Sequence, residues 1–398
     1  MQPHERIVIV GMAGLFAGSP DLKRFWDVIA TGTDATSEPP PGRWLLAPAD
    51  AYDPRAGTPD KVYATRGGFV EPFTVDVRSL DVEATLVARL DPLFQIALHV
   101  AHQAWQSART EGVDRNRVGV VLGNIVLPTE TTSELARETL GRTFEECLGV
   151  AGEPARAIEP LNTSAAGLPA GLIARALGLG GGTFTLDAAC ASSLYALKLA
   201  ADELIAGRAD AMLTGGLSRP DPLYTQMGFS QLRALAAGGR PRPFDAKGDG
   251  LIVGEGGGIL VLKRLSDAIR DGDTIYGVIA GAGLSNDVDG GLLAPSSEGQ
   301  LRAMRAAYEN AGWDPREVDL VECHATGTPV GDAVELASLT ALWGNDGWRR
   351  GQCVIGSVKS NVGHALTAAG AAGLLKVLLA LHHRTLPPTA NFEAPGPT

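Results

Sequence analysis

Long hydrophobic runs are missing from this chain of 398 residues. No window approaches the roughly 20 consecutive apolar residues of a membrane-spanning helix. The first apolar run, in MQPHERIVIVGMAG, is too short and too poorly flanked for a secretory signal. We therefore expect a cytoplasmic protein that makes no membrane contact.

Clusters of positive charge are missing as well. The chain has 34 basic and 45 acidic residues and a net charge of −11, and its basic residues form no extended run. Because nucleic acids and anionic membranes attract clustered positive charge, we expect no nucleic-acid partner. The hydrophobic share of 45% and the charged share of 20% are instead typical of a globular enzyme.

Cysteine is scarce, and its spacing argues against a metal site. The four cysteines are Cys147, Cys190, Cys323 and Cys353, and they form no CxxC pair. His99 and His102 are spaced i, i+3 on a predicted helix and could hold a metal, but no acidic third ligand is near in sequence. We therefore expect no metal, and we interpret the cysteines as buried thiols with one candidate nucleophile among them.

Glycine, in contrast, is abundant at 50 residues. Short apolar runs bounded by glycine alternate with helical patterns, which indicates an α/β architecture with sheets buried between helices. The predicted strands cover residues 7–11, 118–123, 182–186, 211–216, 257–262, 275–280, 318–323 and 354–358. The predicted helices cover residues 93–108, 192–206, 301–311 and 368–382. The Pro- and Gly-rich residues 39–60 predict a surface loop.

One arrangement occurs twice along the chain. Residues 183–205 read as a strand, Cys190, small residues and a helix, and residues 354–382 read as a strand, a polar turn, His364, small residues and a helix. Two halves that each place a reactive side chain at a strand-to-helix turn predict a duplicated fold around one shared site. The predicted halves are residues 1–265, which carry the cysteine, and residues 270–398, which carry two histidines.

Cys190 is the candidate nucleophile. It lies in TLDAACASSLYALKL, between a predicted strand and a predicted helix. The free amides and the positive dipole end of a helix N-terminus stabilise a thiolate and lower its pKa. The neighbouring residues are all small, which leaves room for a bulky substrate. A buried structural cysteine is the alternative, but the position at a helix start, with histidines available, favours the nucleophile.

Two histidines follow predicted strands in Gly- and Thr-rich turns, His324 in VECHATGTPVGD and His364 in GSVKSNVGHALTAAG. Loops at strand ends are where α/β active sites form. Two imidazoles that donate to one carbonyl oxygen would stabilise a developing oxyanion or enolate. Lys359 and Glu335 could orient these imidazoles and set their protonation, although a solvated surface pair is an equally good interpretation.

Three motifs carry a family resemblance along essentially the whole chain. DAACASS, ECHATGTPVGDAVE and GSVKSNVGH, in this order, resemble the nucleophile motif and the two histidine motifs of β-ketoacyl synthases of the thiolase superfamily. RPFDAKGDGLIVGEGGG resembles the acidic-glycine stretch of that family. The N-terminal IVIVGMAGLFAGSPDLKRFWDVIATGTD, followed by GRW, is similar to type I polyketide synthases, and other segments resemble polyunsaturated fatty acid megasynthases.

The resemblance implies a thiolase fold, a duplicated five-layered αβαβα arrangement, and a homodimer. It implies a decarboxylative Claisen condensation in which Cys190 holds an acyl chain as a thioester. His324 and His364 would bind the carbonyl of a malonyl-type thioester and promote loss of CO₂. The enolate would then attack the Cys190 thioester and give a β-ketoacyl product.

The resemblance also implies supporting residues and partners. Lys359 and Glu335 would form a supporting ion pair. The residues expected around the substrate are Thr326 and Thr328 at the phosphopantetheine arm, and Phe229 and Met227 at the acyl pocket. The domain would bind no cofactor itself. Its substrates would arrive on the phosphopantetheine of an acyl carrier protein, and further megasynthase domains, such as an acyltransferase, would follow.

Two alternatives and one departure accompany the resemblance. A non-catalytic chain-length-factor partner would lack the cysteine that this sequence keeps at Cys190. A degradative thiolase would carry a second active-site cysteine late in the chain; Cys353 is late, but it precedes the His364 turn and lies next to a predicted strand. The family's C-terminal glycine-rich loop, which supplies a gating Phe and an oxyanion-hole amide, is absent before Thr398, so we expect a domain truncated ahead of that loop.

Overall fold

The computed structural model describes residues 5–150, 158–291, 294–344, 349 and 351–396. Within them the strands are β1 (Ile7–Phe16), β2 (Val118–Asn124), β3 (Thr183–Leu186), β4 (Ala211–Ser218), β5 (Gly256–Arg264), β6 (Gly277–Ile279), β7 (Leu320–Glu322) and β8 (Val354–Gly356). The α-helices are α1 (Leu22–Ala30), α2 (Pro48–Ala51), α3 (Ala84–Val87), α4 (Pro92–Ser107), α5 (Glu130–Ala136), α6 (Arg142–Leu148), α7 (Pro169–Leu177), α8 (Ser192–Ile205), α9 (Pro222–Gln231), α10 (Leu265–Asp271), α11 (Ser297–Ala311), α12 (Pro329–Trp343), α13 (Lys359–Val362) and α14 (Ala369–His383).

Six of these strands form one mixed sheet in the order β3-β2-β4-β5-β1-β6. β2 pairs in parallel with both β3 and β4, whereas β5 runs antiparallel to both β4 and β1. Every residue of β1 is buried, because this uninterrupted apolar strand is covered by helices on both faces.

The layers alternate between helices and sheets. One core lies between the six-stranded sheet and helices α4 and α7, and a second lies between the opposite face and helices α1, α8 and α14. Beyond α14 lies the parallel pair β7-β8, and α11 and α12 cover the far side of that pair through Met304, Leu336 and Leu339. The order is therefore helix, sheet, helix, sheet, helix.

Helix α14 is the central helix of this stack. Its sequence AGAAGLLKVLLALHH is apolar on nearly all sides, as expected of a helix enclosed by protein. The stretch Leu366–His383 is long and apolar enough to cross a membrane, with a mean hydropathy of 1.3, but 67% of it is buried inside the protein. Its contacts with β1, β4, β5 and β7 identify it as a core helix.

The predicted strands and helices all occur, with bounds that differ by a few residues. The exception is the segment 39–60, where the surface-loop prediction was incomplete. The segment contains the short helix α2, and its Trp44 and Ala51 are buried in a small cluster with Val62 and Leu223. The loop is therefore anchored to the body of the protein by Trp44.

Candidate active site

The turn between β3 and α8 presents Cys190. β3 ends at Leu186, and Ala189 adopts a positive φ of 50°, which a residue with a side chain rarely does. The turn is held by hydrogen bonds from the Ala188 N–H to Ser192 Oγ, at 2.8 Å, and from the Ala189 N–H to the Asp187 carboxylate, also at 2.8 Å. This tight turn fixes the thiol two residues before the first residue of α8.

The structure brings Cys190, His324 and His364 together. The Cys190 Sγ lies 3.0 Å from the His364 Nε2. One sulfur or nitrogen atom from each of the three residues lies within 4.8 Å of the other two. The two imidazole rings meet edge to face, with centroids 5.4 Å apart. A carbonyl oxygen placed between the rings would therefore be within reach of both imidazoles and of the thiol.

His364 is held by its own backbone. Its N–H donates to the Ile252 carbonyl at 2.7 Å, and its carbonyl accepts from the Gly254 N–H at 2.9 Å. The side chain is buried, and its Nδ1 has no hydrogen-bond partner among the described residues. The contact with the Cys190 thiol is therefore the polar interaction that orients this ring.

His324 follows β7 and is held by Glu335. The Glu335 carboxylate accepts the backbone N–H groups of His324, at 2.6 Å, and of Ala325, at 2.7 Å. The expected Lys359–Glu335 ion pair is not formed directly among the described residues. Glu335 instead holds the backbone of the histidine turn. Lys359 affects the pKa values of its neighbours through the electrostatic effect of its positive charge.

Burial and Lys359 set the protonation of the site. Burial lowers the pKa of His324 and of His364, and the nearby Lys359 charge lowers both further, so both rings stay neutral near pH 7. Burial also lowers the pKa of Lys359, while Glu322 and Glu335 oppose that shift. His364 is enclosed on all sides, whereas His324 keeps part of its surface in contact with solvent, so desolvation holds His364 neutral more firmly than His324.

The thiol differs from the sequence-based prediction. Burial raises the pKa of Cys190 above its ordinary value, and the positive charge of Lys359 only partly opposes this. The expected lowering at a helix N-terminus was therefore wrong in direction. The physical reason is that Cys190 precedes the helix cap, Ala191, and loses more by leaving water than it gains from the helix end.

A cavity of about 250 Å³ opens beside the thiol. Its lining combines the polar groups of Cys190, His324 and Lys359 with apolar or small residues such as Leu194 and Gly373. The small residues of α14 and the polar cluster at one end form a site that an acylated thioester could enter.

The two threonines predicted at a phosphopantetheine arm lie in the turn after His324. The Oγ1 atoms of Thr326 and Thr328 are 3.0 Å apart. Asp332, which the sequence analysis did not single out, accepts the Gly327 N–H at 3.2 Å and the Phe244 N–H at 2.8 Å. Asp332 therefore fixes the loop, and burial raises its pKa to about 6.

Phe229 and Met227 do not border the cavity at Cys190. Phe229 packs with Leu251 and Val253, and Val253 forms a backbone bridge with His364. Met227 packs in a different cluster, beside Trp44. Their assignment to an acyl pocket stays a prediction.

The pair His99 and His102 has ordinary hydrogen-bond partners. The His99 Nε2 lies 3.0 Å from the Gln103 Nε2, and the His102 Nε2 lies 2.6 Å from the Ser79 Oγ. These contacts explain the two histidines as packing residues of α4.

One charged pair near the site is not among the residues predicted from the sequence. Glu322, at the end of β7, lies 2.6 Å from Lys376 in α14, and Glu322 borders the same cavity as Cys190. The signal was present, because Lys376 is the one charged residue within AAGAAGLLKVLLAL.

Comparison with known proteins extends these observations. A sequence model described as "Beta-ketoacyl synthase, N-terminal domain" matches residues 4–268, and one described as "Beta-ketoacyl synthase, C-terminal domain" matches residues 276–393. The chain is 37% identical, over 100% of its length, to a PKS-NRPS hybrid synthetase, acdB, of Aspergillus candidus. It is 34% identical, over 98% of its length, to a polyunsaturated fatty acid synthase of a Thraustochytrium species.

These relatives are much longer, and the chain spans 16% and 14% of their respective lengths. Among solved structures, one titled "PfaC Keto synthase-Chain length factor" is 40% identical, with a TM-score of 0.93. That match covers 98% of this chain and 43% of the other.

Proposed function

Because this chain belongs to the β-ketoacyl synthase family, we propose that it condenses a malonyl-type carrier thioester with an acyl chain held on Cys190. The observation that carries the proposal is the 3.0 Å contact between the Cys190 Sγ and the His364 Nε2, with His324 beside both. A thiol beside two neutral imidazoles provides an acyl acceptor and two hydrogen-bond donors for one oxygen.

Loading is a thioester exchange. The Cys190 sulfur attacks the acyl carbonyl of the carrier thioester, the bond to the carrier sulfur breaks, and the thiol proton leaves with that sulfur. The 3.0 Å contact between the Cys190 sulfur and the His364 Nε2 orients the thiol for this exchange. Lys359 favours the thiolate form during this exchange.

Condensation follows at the same position. The malonyl carboxylate leaves as CO₂, and the electron pair of the broken bond forms an enolate whose oxygen accepts hydrogen bonds from His324 and His364. The enolate carbon attacks the acyl carbonyl on Cys190, the carbon–sulfur bond breaks, and the thiolate takes up one proton. The products are a β-ketoacyl carrier thioester, CO₂ and the free thiol.

The neutral histidines suit this role better than charged ones would. A neutral imidazole donates one N–H to the enolate without protonating the carbon that must attack. The low-dielectric surroundings that keep both rings neutral also strengthen each hydrogen bond to the developing charge.

We extend the proposal to the partners that the sequence analysis expected. Carrier-bound substrates would arrive on the phosphopantetheine of an acyl carrier protein, with Thr326 and Thr328 contacting the arm. The exposed edge strand β3 would form a homodimer, and the domain would work in the cytoplasm beside other megasynthase domains such as an acyltransferase. The two halves, residues 1–265 and 270–398, would contribute the cysteine and the histidines respectively.

Intact mass spectrometry after incubation with an acyl carrier thioester tests the proposal. We expect the wild-type chain to gain one acyl mass, Cys190→Ala to gain none, and Cys353→Ala to gain it normally, because Cys353 does not border the cavity beside Cys190. With a malonyl carrier thioester added, His324→Ala and His364→Ala should keep their acyl group and release CO₂ at least about a hundredfold more slowly.

An unmodified wild-type Cys190 would contradict the proposal. In that case a non-catalytic, chain-length-factor-like role would become the better interpretation. Acyl loading followed by release of an intact acyl carrier thioester, with no β-ketoacyl product, would contradict the condensation step alone.

A further inference from the structure

One buried ion pair lies next to the active site but takes no part in the chemistry described above. Glu322, at the end of β7, and Lys376, in the central helix α14, are 2.6 Å apart. The side chain of Lys376 is 1% exposed and that of Glu322 is 11% exposed. Removing two charges from water carries a large desolvation penalty, so a buried ion pair at this position requires an explanation.

Glu322 also binds the backbone of the second histidine segment. Its Oε1 accepts the Val358 N–H at 2.6 Å, while its Oε2 faces Lys376. Val358 immediately precedes Lys359, and Glu322 lies two residues before His324. One carboxylate therefore joins the strand end that carries His324 to the helix start that carries Lys359.

Two glycines leave the space that this pair occupies. A Cβ on Gly373 would lie 2.9 Å from the Glu322 Cγ, and a Cβ on Gly356 would lie 3.3 Å from the Lys376 Nζ. Among the described residues, Glu322 is the only carboxylate in an ion pair with Lys376. Lys376 thus lies beside one oxygen of the carboxylate, Gly373 leaves space for the Glu322 side chain, and Gly356 leaves space for the Lys376 amine.

We propose that Glu322 and Lys376 are positioning residues, in which Lys376 holds the Glu322 carboxylate so that it fixes Val358, and thereby Lys359, relative to His324. The inference rests on the proposed condensing function. The essential interaction is the hydrogen bond to the Val358 N–H, and Lys376 serves it by neutralising the buried carboxylate.

Two double variants separate this role from simple stabilisation. Glu322→Gln with Lys376→Met removes both charges but keeps an acceptor oxygen for the Val358 N–H. Glu322→Leu with Lys376→Met removes both charges and the acceptor, at similar volume. The measurements are Cys190 loading by intact mass, the condensation rate with a malonyl carrier thioester, and the unfolding temperature.

The expected results differ between the two. The Gln/Met variant should keep the ratio of condensation to loading within about threefold of wild type, because the Val358 anchor survives. The Leu/Met variant should lose at least about tenfold in that ratio, because small displacements of reacting groups are costly in rate. Cys190 alkylation by iodoacetamide, which needs no carrier, should change in the Leu/Met variant and stay near wild type in the Gln/Met variant.

A second buried pair provides the matched control. The Lys263 Nζ lies 2.7 Å from Asp273, and these side chains are 2% and 0% exposed. Strand β5 begins at Gly256, two residues after Gly254, which contacts the His364 backbone. Lys263 lies near the other end of β5, roughly 23 Å along the strand from Gly256. Lys263→Met with Asp273→Leu should lower the unfolding temperature without changing the ratio of condensation to loading or the alkylation rate.

The inference would be overturned if the two Glu322 double variants had the same ratio of condensation to loading and the same alkylation rate. It would also be overturned if the Lys263 control lost as much of that ratio as the Leu/Met variant. If either Glu322 double variant does not fold, Lys376→Met alone provides the test, because the unneutralised carboxylate should still lower the ratio. A wild-type chain that never loads Cys190 would contradict the proposed function instead, and the alkylation rates would then decide the positioning role alone.

Discussion

The protonation of single residues determines how the candidate site responds to pH. His324 and His364 are held neutral by burial and by the charge of Lys359, which faces both. The other ionisable groups around them are the Cys190 thiol, Glu322 and Glu335. A histidine with a lowered pKa takes up no proton in the folded state when an ordinary one would, near pH 6.5.

We therefore predict that the histidines impose no loss of condensation activity near pH 6.5. The kcat/KM for release of CO₂ from a malonyl carrier thioester should change by less than about threefold between pH 7.5 and pH 5.5. Imidazole nitrogen chemical shifts of the folded chain, with free histidine as the reference, provide the direct measurement. An acid limb centred near pH 6.5 that disappears in a His364→Gln variant would contradict this prediction.

The lowered pKa values of His324 and His364 also determine how the folding stability changes with pH. Below pH 6.5 the unfolded chain binds protons at these two histidines that the folded chain does not bind. The contribution of His324 and His364 to stability is therefore present above pH 6.5 and is lost as the pH falls towards their folded pKa values.

At the scale of secondary-structure elements, the most constrained feature is the turn between β3 and α8. Ala189 holds a φ of 50° immediately before Cys190, in the left-handed region where a Cβ is strained. The hydrogen bonds from Ala188 to Ser192 and from Ala189 to Asp187 hold the residue there. Strain of this kind next to a reactive side chain is typical of a site where geometry is set by the surrounding fold.

We predict that Ala189→Gly stabilises the chain by up to about 1 kcal/mol, because glycine adopts a positive φ without strain. Ala189→Val should instead destabilise it by more than about 1 kcal/mol. Chemical denaturation measures both changes. The matched control is Ala136→Gly, at an exposed helical position with a φ of −61°, which should cost about 0.5–1 kcal/mol. Destabilisation by glycine at both positions would show that Ala189 is not strained.

At the scale of the whole molecule, the predicted thiolase-type α/β fold is confirmed. The five alternating layers are present, and α8 and α14 lie together between the two sheets. The two sheets are unequal within the described residues, since one has six strands and the other has two. The three candidate catalytic groups meet where the turn after β3 approaches the turns after β7 and β8.

The six-stranded sheet has two edges, and they differ in what they expose. At one edge, β3 presents Phe184 with 43% of its surface exposed, and at the other, β6 presents Val278 with 46% exposed. An unprotected edge strand is a template for pairing with another chain. The proposed homodimer would use the β3 edge, which also leads directly into the Cys190 turn.

We predict that the chain has twice its mass of 41.4 kDa in solution and that Phe184→Lys reduces it to the monomer mass. Val278→Lys, which places the same charge on the opposite edge, should leave the dimer intact. Size-exclusion chromatography with light scattering measures all three. A monomeric wild type, or equal effects of the two lysines, would contradict the assignment of the interface to β3.

Much of this architecture was predictable because the local signals agree with the fold. The glycine-bounded apolar runs predicted the eight strands of the part of the chain that the structure describes, and the apolar periodicity predicted α4, α8, α11 and α14. The repeated order of strand, reactive residue and helix occurs around both Cys190 and His364, although the short helix α13 comes between β8 and His364. What local pattern could not show was Trp44 folding back into a buried cluster, because that contact joins segments far apart in sequence.

The sequence by itself determined the chemistry available to this protein: one cysteine and two histidines in turns, and the motifs that mark them as a β-ketoacyl synthase. Only the tertiary structure decided the pKa values and the contacts of those groups. Burial raised the thiol pKa against the expectation from the helix end, and the packing of the histidine turn made Glu335 a backbone clamp rather than an ion-pair partner. The fold also placed Lys376 against Glu322. The physical reason is that desolvation and long-range contacts depend on which segments pack together, and no local pattern of residues specifies that.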